Sequence, residues 1–477
     1  MAAAGGEHVP GHAEEVRFVT VALELRPAPD PLDACARFSD LPHLVFLDSS
    51  ARGLLGRYSF LTADPVARVG LGGDPLNAAR TLLAPHYQPT LAGLPPFQGG
   101  IAGYLSYEWG AEREQVRRAT SERGAPDAGL GLYDWVIAWD HVAGRAWIIS
   151  TGMVEDGGRR RRTAEDRLAW VRERLRGPTR TSFAALRRPP PSSITSNFTR
   201  SEYEAAVARI RDYIAAGDVY QVNLAQRFQA VFAGAPLELY RRLRARNPAP
   251  FGTYLALGDL AVASISPERF LRFDAARRTA EARPIKGTRP RGATPTEDAA
   301  LARALTESEK DRAENVMIVD LLRNDLGKVC QPGSVVVPEL YALESHPTVH
   351  HLVSNVTGVL ADGADAFDLL RAAFPGGSVT GAPKIRAMEI IAELEGAPRG
   401  VYCGAIGYVS TTGDMDLNIP IRTVVVRDGG ASFHAGAGIV WDSDPALEYD
   451  ETLAKARPMM DALTQRNRDR AVTPGPT

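Results

Sequence analysis

Between Val401 and Val440 the chain carries three apolar, β-prone segments, Val401–Val409, Asn418–Val426 and Ala431–Val440, separated only by short turns rich in glycine. The tightest turn is Asp428-Gly429-Gly430. Strands joined this closely pair antiparallel, because a parallel neighbour needs a crossover of about a dozen residues or more. The same reading extends upstream. Phe251–Leu257 and Leu260–Ile265 flank a Gly258-Asp259 turn, and Trp135–Trp147 alternates as a hairpin about Ala143-Gly144. Leu44–Leu47, Gly56–Leu61, Val219–Phe232 and the glycine-rich Phe97–Tyr107 add further strands. Helices are expected behind a capping box at Ser201–Glu204, over Asp298–Leu305 and Ser308–Leu326, and after Asp444-Pro445. The expected class is α+β, with helices layered on mostly antiparallel sheets.

A chain of 477 residues exceeds one ordinary core. We divide it into a leader (1–16), an N-terminal domain (17–180), a linker (181–196) holding Pro189-Pro190-Pro191, a catalytic domain (197–465) and a tail (466–477). The 55 basic and 57 acidic residues nearly cancel, which argues against nucleic acid and against an anionic membrane. Arg159–Arg162 has no interleaved aromatics and reads as a solvated helix face. No apolar run reaches membrane-spanning length, and the leader lacks the order of a signal peptide. Cys35, Cys330 and Cys403 are too dispersed for a thiolate metal site or a disulfide framework, so a reducing cytoplasm is expected.

Lys286 lies in Pro284-Ile285-Lys286-Gly287-Thr288-Arg289-Pro290-Arg291-Gly292, where proline and glycine rather than a long regular element shape the backbone. Such an amine is either a nucleophile, if its pKa is lowered, or one charge of a basic surface loop. Asp311 and Glu314 share a helix face, as do Glu448, Glu451 and Lys455. Two acidic faces suit a hard divalent cation, most plausibly Mg²⁺, or are simply solvated. The helix after Asp311 is apolar almost all round, which signals burial. Phe374–Lys384, ahead of a helix starting at Pro383, and Ala435-Gly436-Ala437-Gly438 offer amides to an anion, without the spacing of a Walker loop. Arg422 can fork onto a carboxylate, and His351 is a proton carrier or a satisfied core histidine. The residues therefore suggest a small dianionic substrate, one metal, one amine and one proton-moving group.

Asp311-Arg312-Ala313-Glu314-Asn315, Asp320–Asp325, His351-Leu352-Val353-Ser354, Gly381-Ala382-Pro383-Lys384 and Ala435–Val440 together resemble the chorismate-utilising enzymes. More narrowly, they resemble component I of anthranilate synthase and of aminodeoxychorismate (para-aminobenzoate) synthase. The resemblance covers Asn197 to about Pro458, and the N-terminal part through Phe46–Ser49, Gly56–Phe60 and Gly99–Tyr107. It implies two antiparallel sheets packed as an α/β sandwich with outer helices. It implies Mg²⁺ on Glu314 and Glu451, with Asp311 and Glu448 on the ion or one contact away. It implies chorismate carboxylates on Tyr402, Arg422, Gly436, Gly438 and Lys455, with Ser378 and His351 beside the ring.

Within the family, Gln221 matches the position where water-using relatives place a basic Lys, which favours amination. Lys286 matches the proposed covalent nucleophile of the aminodeoxychorismate branch, where anthranilate synthases carry Ala. Phe374–Lys384, with Gly377-Ser378 and Thr380, also reads as that branch. The implied activity is amination of chorismate at C4, with Glu268 as the acid. Ammonia would come from a separate glutamine amidotransferase subunit, since no glutaminase elbow is present and Cys403 reads as strand packing. The alternatives are anthranilate synthase component I and a non-catalytic sensor. Ser49, Arg57, Tyr58 and Ser59 match the region that binds tryptophan in relatives.

Overall fold

The computed structural model describes residues 20–464 apart from 54, 71, 117–123, 154–162, 179–193 and 346–348. The expected leader and tail, the arginine run and most of the linker lie outside the described residues.

Two antiparallel sheets form the frame. The 12-stranded sheet runs Val21–Leu25, Arg145–Ser150, Trp135–Asp140, Tyr58–Thr62, Leu44–Asp48, Phe251–Leu257, Leu260–Ser266, Thr423–Arg427, Gly430–Ile439, Gln221–Val231 and Gly381–Ala382, with Thr195–Ser196 added beside Gln221–Val231. The 10-stranded sheet runs Ile285–Pro290, Val349–Val359, Thr279–Ala282, Arg269–Asp274, Met415–Asn418, Ala405–Ser410, Gly100–Leu105, Ala128–Tyr133 and Ala67–Arg68, with Val336–Ser345 also on Val349–Val359. The segments before and after the proline-rich stretch both contribute strands to both sheets.

Strand alternation sends side chains to two different cores. Val45 and Phe60 point between the sheets, where they meet Phe97, Tyr104 and Tyr408. The Phe97 and Tyr408 rings stack at 4.5 Å. Leu44 and Phe46, on the opposite face, pack beneath helices that include Pro31–Phe38 and Pro236–Arg246. A third core lies beneath Glu309–Gly327, Ala366–Ala373 and Lys384–Leu394. Each fully buried Leu or Phe contributes about 1.5–3 kcal/mol, so the sandwich needs both faces of each sheet covered. Close backbone approach explains the glycine-rich strand Gly100–Leu105: a Cβ on Gly103 would sit 1.9 Å from the carbonyl oxygen of Gly129.

Several boundaries differ from the sequence reading. Asn418–Val426 is not one strand. It divides into Met415–Asn418 in one sheet and Thr423–Arg427 in the other, across Pro420, which lacks an N–H, and Arg422 at φ +52°. Cys403 is not in a strand but in the turn before Ala405–Ser410, at φ +62°. The capping box is formed by Thr199 and Glu202, two residues ahead of the expected one, and it opens Arg200–Ala215. Pro383 is the N-cap, not the first residue, of Lys384–Leu394. The helix Glu309–Gly327 is amphipathic rather than apolar all round: Asn315, Ile318 and Leu322 are buried, while Val316, Asp320 and Arg323 face solvent.

Candidate active site

A cavity of about 600 Å³ opens where strands of both sheets meet the first turns of Glu309–Gly327 and Pro445–Thr464. Lys286 enters it from the edge strand Ile285–Pro290, not from an irregular loop. Ile285 pairs with Val353, but Thr288 pairs with His351, so Lys286 and Gly287 together oppose a single residue. This bulge re-aims Lys286 toward the cavity. Gly287 takes φ +87°, and a Cβ there would lie 2.9 Å from Leu305 Cδ1 and 3.0 Å from Asp311 Oδ1. The Lys286 amine donates to the Ser378 carbonyl at 3.1 Å. Desolvation holds its pKa below the ordinary lysine value, against the pull of Glu314 and Glu268.

Glu268 stands beside this amine. The Ser378 hydroxyl donates to Glu268 Oε1 at 2.6 Å. Burial raises the Glu268 pKa, while that hydrogen bond and the charges of Lys286 and Lys455 pull it down. His351, on Val349–Val359, shares a 2.9 Å hydrogen bond between Nδ1 and Thr288 Oγ1. All three expected catalytic residues, Lys286, Glu268 and His351, line this cavity.

Asp311, Glu314, Glu448 and Glu451 come to the same cavity from two helices. Ser308 caps one helix through the Asp311 N–H, and Asp444 caps the other through the N–H groups of Ala446 and Leu447. Burial raises the pKa of Glu314 and of Glu448; Asp311 and Glu448 add to it at Glu314, and Glu451 adds to it at Glu448. Mutually repelling, partly desolvated carboxylates are an oxygen-only donor set that fits a hard divalent cation. No group of three metal-binding side chains converges on one point among the described residues. Magnesium asks for less, since one or two carboxylates with waters and a substrate oxygen suffice. Asp311 also accepts from Arg289 at 2.7 Å, and Glu451 pairs with Lys455 at the cavity mouth at 2.7 Å.

The glycines act through strand pairing. The ladder between Thr423–Arg427 and Gly430–Ile439 stops at Val424 opposite Phe433, so the same edge beyond His434 is left without a strand. Gly436 and Gly438 lie there, and the Gly436 carbonyl accepts from Lys455 Nζ at 3.0 Å. Arg422 lines the cavity with no ion-pair partner among the described residues. Arg422, without a carboxylate hydrogen-bonded to it among the described residues, suits an anionic ligand. Tyr402, Ser378 and Lys455 also line the cavity, but Gln221 does not. It is fully buried just behind Gly438, where a Cβ would come 2.4 Å from its Nε2.

Ser49, Arg57 and Tyr58 line a second cavity, of about 230 Å³, between the sheets. Ser59 does not; it is buried against Asp48 and His141.

Two cavity groups, and one residue behind the cavity wall, escaped the sequence reading. His434 stacks on Tyr402 with centroids 5.0 Å apart, and burial pushes its pKa down to about 3, so it is neutral. Asn223 donates to the Ser378 carbonyl at 3.1 Å. Arg399, buried against Glu395, donates to the carbonyls of Val379 and Asn223 and so braces the cavity wall. The one signal available was position: Asn223 pairs directly with Gly438 across the two strands.

An antiparallel sandwich that closes over a desolvated amine, a buried acid and a carboxylate cluster defines an enzyme of small anionic substrates. Residues 53–461 match the family described as chorismate binding enzyme, and the chain belongs to that family. It is 43% identical over 452 residues to aminodeoxychorismate synthase component 1 of Salmonella typhimurium, covering 90% of this chain and 94% of the relative. It is 42% identical over 448 residues to anthranilate synthase component 1 of Streptomyces coelicolor, covering 91% and 86%. The crystal structure of anthranilate synthase component I from Streptococcus pneumoniae superposes with a TM-score of 0.73 at 34% identity, covering 86% of this chain and 93% of that one. The expected α+β sandwich is therefore the observed one. No helix among the described residues is long and apolar enough to cross a membrane, and the three cysteines are free and buried.

Proposed function

We propose that this chain is the chorismate-converting component of an aminodeoxychorismate synthase, which replaces the C4 hydroxyl of chorismate with ammonia delivered by a glutamine amidotransferase subunit. The observation that carries this reading is the Lys286 amine, presented to the cavity by a strand bulge, desolvated, and hydrogen-bonded to a carbonyl. Neutral Nζ attacks ring carbon C2, the double bond shifts, and the C4–O bond breaks. Glu268 gives the proton that lets the hydroxyl leave as water. Ammonia then adds at C4, the double bond returns, and the C2–N bond breaks to free Lys286. One ammonia enters and one water leaves, with no change in oxidation state. Dividing one displacement into two easier steps is the gain.

Arg422 and Lys455 suit the two carboxylates, and His351 suits proton movement at the ring. A magnesium ion held by Glu314 and Glu451, with Glu448 and Asp311 alongside, would neutralise a substrate carboxylate. The second cavity, at Ser49, Arg57 and Tyr58, suits tryptophan as a ligand, and the free thiols suit a reducing cytoplasm.

The test is the product made by the isolated chain from chorismate, ammonium and MgCl₂. The expected product is 4-amino-4-deoxychorismate, a para-aminobenzoate precursor that serves folate synthesis, without pyruvate. The similarity to anthranilate synthase components favours one second reading, amination at C2. Fluorescent anthranilate with stoichiometric pyruvate would establish that reading instead.

A further inference from the structure

Two of the sequence segments noted above, Asp320–Asp325 and Gly381-Ala382-Pro383-Lys384, place no residue in the cavity. They meet each other instead. Lys384 Nζ donates to Asp325 Oδ2 at 2.6 Å, in the last turn of Glu309–Gly327. The same ammonium donates at 2.7 Å to the carbonyl of Ala373, where Ala366–Ala373 ends and a cation complements the unpaired helix carbonyls. Asp325 is fully buried, and the Lys384 side chain is only 10% exposed. Lys328 pairs with the other Asp325 oxygen at 3.0 Å but is half exposed. A buried pair of this kind adds little net stability over apolar residues of the same volume, so its effect is to be sought in geometry.

Between the two contacts of Lys384 runs the turn Phe374–Pro383. It begins just after Ala373 and ends just before Lys384, so one ammonium ties both of its ends to the helix that carries Asp311 and Glu314. Phe374–Ala382 is buried throughout. A Cβ on Gly377 would lie 2.4 Å from Leu321 Cδ2 of that helix. Thr380 Oγ1 donates back to the Gly376 carbonyl at 3.0 Å, and the Asn223 N–H donates to the Thr380 carbonyl at 2.8 Å. In the middle of the turn stands Ser378, whose carbonyl accepts from Lys286 and whose hydroxyl donates to Glu268.

We infer that Lys384 is a positioning residue for the amination: by tying both ends of the Ser378 turn to Asp325, it sets that serine between the Lys286 amine and the Glu268 carboxyl. This inference rests on the proposed amination. Lys384 lines no part of the cavity and acts only through Ser378. Lys286 and Lys455 are the charges that bear on Glu268, and the Ser378 hydroxyl favours its ionised form. A turn that slackens therefore withdraws the hydroxyl and raises the pH at which Glu268 ionises.

The test uses the full chain with chorismate, ammonium chloride and MgCl₂. Two variants are compared with wild type: Lys384→Met, in which Lys328 still balances Asp325, and Lys384→Met with Asp325→Leu, which leaves no buried charge. The expected result is a kcat lowered about tenfold or more with KM for chorismate within about twofold, since the turn orients reacting groups rather than carboxylate ligands. The limb of the pH–rate profile set by Glu268 should move to higher pH. On a Ser378→Ala background Lys384→Met should add no further shift, because both changes remove one contact. Magnesium affinity, read by calorimetry, should stay within about twofold, as the metal carboxylates lie at the far end of the helix. Folded variants with the wild-type kcat and the wild-type limb overturn the inference. An equal shift on the Ser378→Ala background overturns it too, because Lys384 would then act by another route. So does loss of magnesium binding, which would mean that the helix and not the turn had moved, and so does failure of both variants to fold. Anthranilate as the wild-type product refutes the proposed function, while the comparison of variants still decides Lys384.

Discussion

The Lys286 amine and the Ser378 carbonyl meet at 3.1 Å, and the hydroxyl of the same serine donates to Glu268 at 2.6 Å. One residue thus spaces the amine from the acid, holding both over the same end of the cavity. The carbonyl keeps the amine oriented without supplying the charge that would hold it protonated.

Replacing Lys286 with Ala should lower C4 amination by roughly two orders of magnitude or more, the scale on which loss of a positioned reacting group acts. Chorismate binding, measured by calorimetry, should weaken far less. A Lys286→Ala enzyme that aminates C4 at the wild-type rate, with no adduct in the mass spectrum of trapped wild type, would end the covalent scheme.

The pH profile carries a sign. Activity needs Lys286 neutral and Glu268 protonated. The profile should therefore be a bell bounded by two ionisations, that of Lys286 below the ordinary lysine value and that of Glu268 above the ordinary carboxylate value. The Ser378 hydroxyl favours the ionised form of Glu268, so Ser378→Ala should move the Glu268 limb to higher pH. A shift in the opposite direction removes Glu268 as the acid.

Magnesium should stabilise the protein independently of turnover. Burial raises the pKa of Glu314 and Glu448, so each folded carboxylate binds its proton more tightly than the unfolded one. The metal-free protein then loses stability as pH rises from the unfolded pKa through the folded one. Magnesium at a hundredfold excess over Kd should add about 2.7 kcal/mol, read by calorimetry, and more at pH 8 than at pH 5. Glu314→Gln should raise the metal-free Tm and abolish the magnesium shift. An unchanged magnesium shift in Glu314→Gln would exclude that residue as a ligand.

Arg399 tests the cavity wall. Both it and Glu395 are buried, and their pair closes at 2.6 Å. Arg399→Met leaves Glu395 uncompensated and should cost about 3–5 kcal/mol. Arg399→Met with Glu395→Leu should recover part of that in urea unfolding. Recovery of stability without recovery of KM for chorismate would assign Arg399 a positioning role through the carbonyls of Val379 and Asn223.

The sequence disclosed strands and caps where local chemistry dictates them. The hairpin turn at Asp428-Gly429-Gly430 and the cap at Asp444 are decided within a few residues. The change of sheet between Asn418 and Thr423 was not legible, because period-two alternation cannot tell one long strand from two that part at Pro420. Lys286 was legible as chemistry but not as geometry: the bulge that aims it depends on pairing with Val353 and His351, which no local pattern records. Arg399 and His434 were missed for the same reason, since each acquires its role only once distant strands meet.

The interleaving of both sheets has a consequence for synthesis. Leu44–Asp48 finds its neighbour in Phe251–Leu257, which leaves the ribosome much later at rates of about 5–20 residues per second. Until then the earliest strands carry an open edge into a crowded cell. The nascent first half is thus an unfinished surface whose open edge closes only when the later strand arrives.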